Sequence, residues 1–388
     1  GDISYTEERA KQMLFSDEPM GEEKYYLYAD LSDTDISAYN FQTLNGKRIG
    51  VLKGTQPEVM LTEWEQKYNL ETTHVNIANN NDVKRKLADH EIDAFVSLEE
   101  SLWAAQGIST VVNVGKSGIY YAINKDHPEI KEELDNAMRR LEDDNPFYLA
   151  DLYKQYFSLD YTPILSGEEK KWLKEHGAIR IGFLKDDTGI STIEMPDGRF
   201  SGAMTDYIQY AAGCLGNQKL DFKLTEYNSY EEETEALKSD EIDMIFHFSQ
   251  NPDTAEEYHF AFTNTAWIYN LMAVTNKTSF NENESNRIAV PKDDLPLEKH
   301  IEYYYPQWEI VECDSVDDAA DGFVTGVASA LDYSEKYNLY SLPLSNPEKS
   351  AFAVKSGNHY LLSILNKTIK AMPSNMLTSA IAMYESTP

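Results

Sequence analysis

Residues 46–76 read GKRIGVLKGTQPEVMLTEWEQKYNLETTHVN, and residues 285–315 read SNRIAVPKDDLPLEKHIEYYYPQWEIVECDS. In both stretches a short apolar run is followed by a turn, a helical pattern and a second strand-like run. This order is typical of a β-α-β unit, in which a helix connects two parallel strands. The sequence therefore predicts an α/β fold in which one unit occurs twice.

Two further pairs of segments repeat around these units in the same order. Residues 4–29 resemble residues 249–274, and residues 117–143 resemble residues 349–375. The spacing between the copies drifts from 245 residues in the first pair to 232 in the last. Such a slow drift indicates two copies of one module that differ by small insertions and deletions.

A block at residues 178–227 has no partner in the first copy. It reads as a strand, a hairpin at Asp197 and Gly198, an amphipathic helix and a second strand. We therefore expect the first copy to lack the front of its module. Its return segment, residues 119–157, should then have no strands with which to pair, and should pack on a neighbouring chain or module or form a mobile helix.

The boundary between the copies lies in residues 161–177. Ser166 and Glu169 have capping-box spacing there, and a glycine follows the helical pattern. This predicts a linker helix between a first module at residues 1–160 and a second module at residues 178–388.

The composition excludes several classes of function. The 388 residues include 66 acidic and 34 basic side chains, a formal charge of −32, which argues against nucleic acid or an anionic membrane surface as partner. The two cysteines, Cys214 and Cys313, have no metal-site or disulfide spacing. No HExxH, P-loop or Ser-His-Asp pattern is present, so we expect no metal, no cofactor and no enzyme activity.

We also expect any targeting or anchoring segment to lie outside this sequence, because no apolar run approaches the roughly 18 to 20 residues of a membrane span.

Three motifs of the first copy carry a family resemblance. The pattern S-x-T-x-E-R-A-K-x-x-x-F-S-D begins at Ser4, GKRIGVLKGT follows about 30 residues later, and IYYAINK forms a return strand. Together they resemble the bacterial extracellular solute-binding proteins of family 3, two-lobed Venus-flytrap modules that bind polar amino acids. The junction LSGEEKKWLKEHGAIRIGF resembles tandem flytrap ectodomains of membrane sensor proteins. The resemblance implies that the second lobe of the first module spans about 20–118, and that the lobes of the second module are 178–265 with 349–388, and 266–348.

The first cleft should bind a carboxylate. An Arg offers a planar pair of donors to a carboxylate, and the N-terminus of a helix offers free amides. Arg9 is a candidate for the first role, and Thr55 and Gln56 are candidates for the second. The alternative interpretation is a surface Arg that pairs with Glu7 or Glu8, and a turn that only caps a helix.

The resemblance implies further roles around Arg9. Arg9 matches the carboxylate-binding Arg of the family, and Ser4 and Thr6 match its flanking hydroxyl positions. Leu98 stands where the family places an Asp that holds the ligand amine, with Ser97 and Glu99 beside it. Either Glu99 substitutes for that Asp, or the ligand lacks an amine.

The second cleft has a different predicted character. Ala255 and Glu256 stand where the Arg would be, while Asp332 is expected at the amine-binding position. This favours a neutral or cationic ligand group, if the cleft binds anything. Further candidates, each with a structural role as the alternative, are His247, Ser249, Trp267 and, in the acidic pair at 186–187, Asp187.

The resulting functional hypothesis is a ligand-sensing region on the extracellular or periplasmic side of the bacterial membrane. The expected partners are a small polar solute related to amino acids, or a cationic or neutral one, and membrane-anchored signalling domains in the same full-length chain, such as a histidine kinase or cyclic-dinucleotide cyclase. A homodimer is possible, and no nucleic acid is expected. The alternatives are a solute-binding protein of an ABC transporter and, less favoured, an enzyme on the same scaffold.

Overall fold

The chain divides into two compact units, unit 1 (Gly1–Glu168) and unit 2 (Glu169–Pro388), each with its own apolar core. The computed structural model describes residues 2–32, 35–98, 103, 106–144, 148, 152, 163–184, 193–194, 200–292, 294–313, 322–373 and 375–385. Both units are mixed α/β. The predicted fold class is therefore confirmed.

Unit 1 contains one seven-stranded sheet with helices beside it. Its strands are β1 (Asp2–Ser4), β2 (Met13–Phe15), β3 (Gly21–Asp30), β4 (Arg48–Val51), β5 (Thr73–Asn76), β6 (Ala94–Leu98) and β7 (Ile108–Asn124). Its helices are α1 (Glu7–Ala10), a 3-10 turn (Phe41–Leu44), α2 (Gln56–Tyr68), α3 (Asn80–Ala88) and α4 (Pro128–Asp144). The strand order is β1-β7-β3-β6-β4-β5, and β2 also pairs with β7. Strand β4 is parallel to β5 and β6, so β4-α2-β5 is the β-α-β unit predicted from residues 46–76.

The local sequence explains this unit. Ile49 and Val51 of β4 are buried, and so are Leu61 and Trp64 on one face of α2. Helix α2 ends at Asn69, whose φ of 52° is in the left-handed region that terminates helices. The apolar face of α2 thereby packs on the sheet, and the start of the helix lies at the carboxyl end of β4.

One expectation about unit 1 is wrong. The return segment was expected to lack strands with which to pair, but its residues 119–124 belong to β7 and pair with β1 and β2. Ser4 lies opposite Ile119, and Met13 lies opposite Asn124. The first fifteen residues of the chain therefore supply the backbone hydrogen bonds that this segment needs.

Unit 2 contains two main sheets, and each sheet with its helices forms a lobe. The strands are β8 (Ile179–Leu184), β9 (Ile193–Glu194), β10 (Phe200–Ser201), β11 (Phe222–Tyr227), β12 (Met244–Ser249), β13 (Phe260–Phe262), β14 (Trp267–Tyr269), β15 (Leu271–Thr275), β16 (Arg287–Pro291), β17 (Glu309–Cys313), β18 (Gly322–Gly326), β19 (Tyr340–Pro343) and β20 (Glu348–Lys355). The first lobe has the order β11-β8-β12-β20-β13, with β14 also on β20, and the second lobe has β17-β16-β18-β15-β19.

The helices of this part of the chain begin with the expected linker helix. They are α5 (Gly167–His176), α6 (Ala203–Ala211), α7 (Tyr230–Lys238), α8 (Pro252–Tyr258), α9 (Leu295–Tyr304), α10 (Val327–Tyr337), α11 (His359–Ala371) and α12 (Met376–Glu385). The division between the units falls two residues into α5. Among the residues that the structure describes, no helix is both long and apolar enough to cross a membrane.

The strand orders show the internal repeat. The second lobe of unit 2, β17-β16-β18-β15-β19, has the order of β5-β4-β6-β3-β7 in unit 1, with parallel pairs at the same places. Ser249 of β12 lies opposite Ser350 of β20, as Ser4 lies opposite Ile119 in unit 1. Strands β8 and β11 have no counterpart in the described part of unit 1.

Candidate functional site

Unit 1 has a cavity of about 910 Å³ that opens between α1, the start of α2 and the end of β6. Its volume lies in the range of about 300 to 1,000 Å³ that small-molecule sites occupy. Six of the residues selected from the sequence line it together: Ser4, Thr6, Arg9, Thr55, Gln56 and Ser97. The structure therefore brings these six predicted residues to one place.

The wall that carries Arg9 is built by β1 and α1. Thr6 caps α1, because its Oγ1 accepts the Arg9 backbone N–H at 3.2 Å. The Arg9 Nη1 donates to the carbonyl oxygen of Ser4 at 2.9 Å, which holds the guanidinium beside β1. In the described part of the chain no carboxylate lies within 4.0 Å of this guanidinium. The structure thus does not show the alternative ion pair with Glu7 or Glu8.

The facing wall is the start of α2. Gly54 has a φ of 74°, which a glycine adopts without strain, and Thr55 precedes the helix with an extended backbone. The Thr55 side chain does not cap the helix, because its hydroxyl donates to the Leu52 carbonyl instead. Pro57 has no N–H, and the Glu58 N–H donates to the Thr55 carbonyl at 3.1 Å, so the Gln56 N–H is the first-turn donor with no backbone acceptor among the described residues. It lies at the end of the helix where the dipole favours an anion.

Glu58 supports this turn from within the helix. Its Oε2 accepts the Gly54 N–H at 2.7 Å, and its Oε1 lies 3.7 Å from His74 Nδ1. The Gly54 amide, and to a lesser extent His74, lowers the pKa of the Glu58 carboxyl. The Nε2 of the same His74 lies 2.9 Å from Glu65 Oε2. The Gly54 turn is thereby held in place by a chain of charged contacts.

The third wall is the end of β6. Ser97 and Leu98 line the cavity, and the Leu98 carbonyl accepts the Tyr28 hydroxyl at 2.9 Å. Glu99 lies outside the described residues. Arg9 is the only lysine or arginine among the described residues that line this cavity. The cation and the helix N-terminus together suit the binding of a carboxylate.

The corresponding cleft of unit 2 has little free space between its described residues. The cavity there measures about 60 Å³, against roughly 300 to 1,000 Å³ for small-molecule sites. His247 and Trp267 line it, as proposed from the sequence, with their ring centres 5.3 Å apart. Ser249 is buried but is not among the residues that line it.

Tyr269 and Gly326 lie against each other at this cavity. A Cβ atom added at Gly326 would lie 1.8 Å from the Tyr269 hydroxyl oxygen, so the tyrosine packs directly on the glycine backbone. Gly326 ends β18 as Leu98 ends β6. The position that carries a leucine in unit 1 is thus a glycine covered by a tyrosine in unit 2.

The placement expected for Asp332 is wrong. We expected Asp332 to match Leu98, but the strand ends at Gly326 and Asp332 lies on the exposed side of α10. The counterpart of Leu98 is Gly326, six residues before Asp332. Asp187 lies outside the described residues.

The helix caps also correct the match to Arg9. Asn251 caps α8 as Thr6 caps α1, which makes Thr254 the counterpart of Arg9 rather than Ala255 or Glu256. Three buried atoms at this point, the Ser249 Oγ, the Asn251 Nδ2 and the Thr254 Oγ1, have no hydrogen-bond partner in the described chain. Ser249 was a candidate from the sequence. Sequence reasoning missed Asn251 and Thr254, although the spacing from the cap residue would have found them.

The structure shows no group of metal-ligating side chains among the residues it describes.

No protein-family model matches the chain. The virulence sensor protein BvgS of Bordetella pertussis (strain Tohama I) is 25% identical over 248 residues, which cover 58% of this chain and 19% of the sensor. The chain resembles a Venus-flytrap sensor. The resemblance to Venus-flytrap sensor proteins that was inferred from the sequence is thereby confirmed. The chain spans about a fifth of the length of the curated relatives it matches.

Two solved structures are among those similar to the chain. The periplasmic domain of B. pertussis BvgS has a TM-score of 0.47 and 20% identity, covering 100% of this chain and 78% of that one. The periplasmic VFT2 domain of the same sensor has a TM-score of 0.46 and 24% identity, covering 57% of this chain and 99% of that one.

Proposed function

We propose that this chain is the extracellular or periplasmic sensing region of a membrane-anchored signalling protein, and that it binds a small polar carboxylate solute in the cavity of unit 1. The observation that carries the proposal is the position of Arg9 and the start of α2 on the walls of one cavity. The similarity to a bacterial virulence sensor supports sensing rather than delivery to a transporter.

The chemistry of binding follows from these walls. A carboxylate that enters the cavity exchanges its water for the guanidinium of Arg9 and for the Gln56 amide at the start of α2. Hydrogen bonds to charged groups contribute about 1.5 to 3 kcal/mol each. Because the donors stand on different walls, such a ligand is bound most tightly when the walls approach each other. Binding therefore shifts the population towards a closed state, and this shift is the signal.

The proposal is tested by thermal unfolding and calorimetric titration of the chain with amino acids, hydroxy acids and simple carboxylates. A ligand at about a hundred times its Kd should stabilise unit 1 by roughly 2.7 kcal/mol. Arg9→Ala should abolish this shift. The matched control is Arg139→Ala, which removes an exposed arginine of α4 that bonds only Asn136 among the described residues.

Two outcomes would contradict the proposal. A ligand whose effect survives Arg9→Ala, or is lost equally in Arg139→Ala, does not bind through the guanidinium of the cavity. No stabilisation by any carboxylate of the panel would remove the cavity of unit 1 as a carboxylate site.

The module boundaries at 1–160 and 178–388, the attached signalling domains and a homodimer belong to the same proposal. In the full-length protein, a solute that stabilises unit 1 should change the activity of the attached kinase or cyclase. A binding protein that serves a transporter would show no such output. Sedimentation velocity with and without solute tests the dimer.

A further inference from the structure

Three strands of unit 1 end in a large aliphatic residue at the same edge of the sheet. Leu52 follows β4, Ile77 follows β5, and Leu98 is the last residue of β6. Because β4 is parallel to both β5 and β6, the carboxyl ends of the three strands meet at this edge, where an α/β fold forms its binding cleft. All three residues line the cavity of unit 1. We call Leu52, Ile77 and Leu98 the aliphatic floor.

Val59 of α2 adds a further aliphatic side chain to the same cavity. Its side chain is 49% exposed and that of Leu52 is 45% exposed, so both present apolar surface to water. The two residues stand four positions before and three positions after Gln56, whose amide is a donor for the carboxylate. The anion site is therefore flanked by apolar surface, and a ligand whose body covers this surface removes it from water.

The polar backbone atoms of the floor are already in use. The carbonyl oxygen of Leu98 accepts the Tyr28 hydroxyl at 2.9 Å, and the carbonyl oxygen of Leu52 accepts the Thr55 hydroxyl. A polar group of a ligand that lay on the floor would lose its water and meet aliphatic side chains instead. The floor thus favours hydrocarbon over hydroxyl or charged groups.

A second carboxylate on the ligand is also disfavoured. Arg9 is the only lysine or arginine among the described residues that line the cavity, and the first carboxylate binds it. The acidic residues that line the cavity, Glu8 and Glu58, repel a further anion. The body of the ligand should therefore carry no additional negative charge.

The matching strand ends of unit 2 have a different chemistry. Lys292 follows β16, the counterpart of β4, and Gly326 ends β18, the counterpart of β6. The residue after β17, at position 314, lies outside the described chain. The shared strand order thus does not require aliphatic residues at these positions, and the floor is a property of the side chains of unit 1.

We infer that the solute of unit 1 is a monocarboxylate with an aliphatic body. Its polar end, the carboxylate, binds Arg9 and the Gln56 amide, and its hydrocarbon chain packs on the aliphatic floor and on Val59. The inference rests on the proposed carboxylate site and adds the chemistry of the other end of the ligand. The affinity should then rise with the length of the hydrocarbon chain, by about fourfold for each methylene group that leaves water.

Calorimetric titration of the 388-residue chain with acetate, butanoate and hexanoate tests this dependence on length. From butanoate to hexanoate the Kd should fall by about 15-fold, because two methylene groups are added. Adipate has as many carbon atoms as hexanoate but ends in a second carboxylate. It should bind at least about tenfold more weakly than hexanoate, since it loses apolar contact and is repelled by the acidic lining.

Leu52→Asn changes the floor and leaves both donors of the carboxylate site in place. It should weaken the binding of hexanoate by about tenfold and leave the Kd of acetate unchanged. The matched control is Leu141→Asn, because Leu141 of α4 is 43% exposed and lies outside the residues that line the cavity. This control should leave every Kd unchanged. If Leu52→Asn does not fold, Val59→Thr tests the apolar surface from α2, since it keeps the shape of the side chain and adds a hydroxyl.

Any of three results would overturn the inference alone. A Kd that depends on Arg9 but not on chain length would leave the carboxylate site without a role for the floor. Tighter binding of adipate than of hexanoate would show that the cavity holds a second carboxylate. Equal losses in Leu52→Asn and Leu141→Asn would remove the floor as the cause. The absence of binding by all four acids would instead overturn the inference and the proposed function together.

Discussion

The two units contain the same strand order, yet one has an open cavity of about 910 Å³ and the other a residual space of about 60 Å³. The difference comes from side chains at equivalent points of the fold. Unit 1 has Leu98 at the end of β6 and Met60 in α2, whereas unit 2 has Gly326 and Lys299 at these points. The same strand order thus occurs with a large cavity in one unit and a small one in the other, and the residues at the ends of β6 and β18 differ between them.

The units also share a structural ion pair that differs in burial. In unit 1, Arg48 bonds both oxygens of Asp93, at 3.0 and 2.6 Å, and the Asp93 side chain is 26% exposed. In unit 2, Arg180 bonds Asp243 in the same way, and the Asp243 side chain is 5% exposed. Burial alone would raise the pKa of the Asp243 carboxyl, but the bonds from Arg180, its backbone amide and His176 lower it.

The largest expected effect is the difference between these two aspartates. Asp243→Asn leaves the Arg180 guanidinium partly buried without its charge partner and should destabilise unit 2 by about 4 kcal/mol. Asp93→Asn should destabilise unit 1 by about 1 kcal/mol, because water screens the more exposed pair. Urea unfolding that resolves the two units measures both. Equal losses would show that burial does not separate the two pairs.

The β-α-β units could be predicted because their signal is local. Residues 46–76 and 285–315 fold as β4-α2-β5 and β16-α9-β17, with strand and helix periods that are visible in the sequence. The grouping of Arg9 with Thr55 and Gln56 was expected from the family resemblance, and the three residues line one cavity. Spacing alone favoured a surface Arg and a turn that only caps a helix.

The errors arose where the structure depends on register or on distant contacts. Asp332 was misplaced because a similarity that drifts in spacing does not fix which residue ends a strand. The pairing of β7 with β1 joins the two ends of unit 1, and no local pattern reports it. The contact of Tyr269 with Gly326 depends on side-chain packing between two lobes. Such contacts produce no periodic pattern in the sequence, so this packing could not be predicted from it.

Gly326→Ala tests the contact that closes unit 2. The Gly326 φ of −70° suits alanine, so the cost arises from the added methyl against Tyr269 rather than from backbone strain. Overpacking of this kind should destabilise unit 2 by about 3 kcal/mol in urea unfolding. In a Tyr269→Ala background the same change should cost below about 0.5 kcal/mol. An unchanged cost in that background would mean that Tyr269 does not fill the cleft.

His300 should make unit 2, and not unit 1, sensitive to acid. Burial lowers the pKa of this histidine of α9 to about 4, and its Nε2 lies 3.1 Å from the Asn346 carbonyl. In the unfolded chain the His300 side chain takes up a proton near pH 6.5, whereas in the folded chain it does so only near pH 4. Stability should therefore fall as the pH drops below 6.5, by roughly 2 kcal/mol between pH 7 and pH 5.

Urea unfolding at pH 7, 6 and 5 measures this slope. His300→Gln should flatten it for unit 2. The control is His127→Gln in unit 1, where the side chain is 54% exposed and contacts Glu129, and this change should leave the slope of unit 2 intact. A slope that survives His300→Gln would have to come from other groups.

Glu298, next to Lys299 in α9, should have the opposite and smaller effect on stability. Burial, and then the nearby charge of Glu312, raises the pKa of the Glu298 carboxyl to about 7. The folded chain therefore holds a proton between about pH 4.5 and 7 that the unfolded chain releases, so this group favours folding at pH 5 over pH 8.

Glu298→Gln should stabilise unit 2 at pH 8 by below about 1 kcal/mol, since solvent screens a half-buried pair, and should have almost no effect at pH 5. Glu302→Gln, on the same helix but paired with Lys299 at 3.0 Å, should give no such gain. A gain from Glu298→Gln of the same size at both pH values would mean that repulsion between Glu298 and Glu312 does not titrate, and the acid response of α9 would then rest on His300 alone.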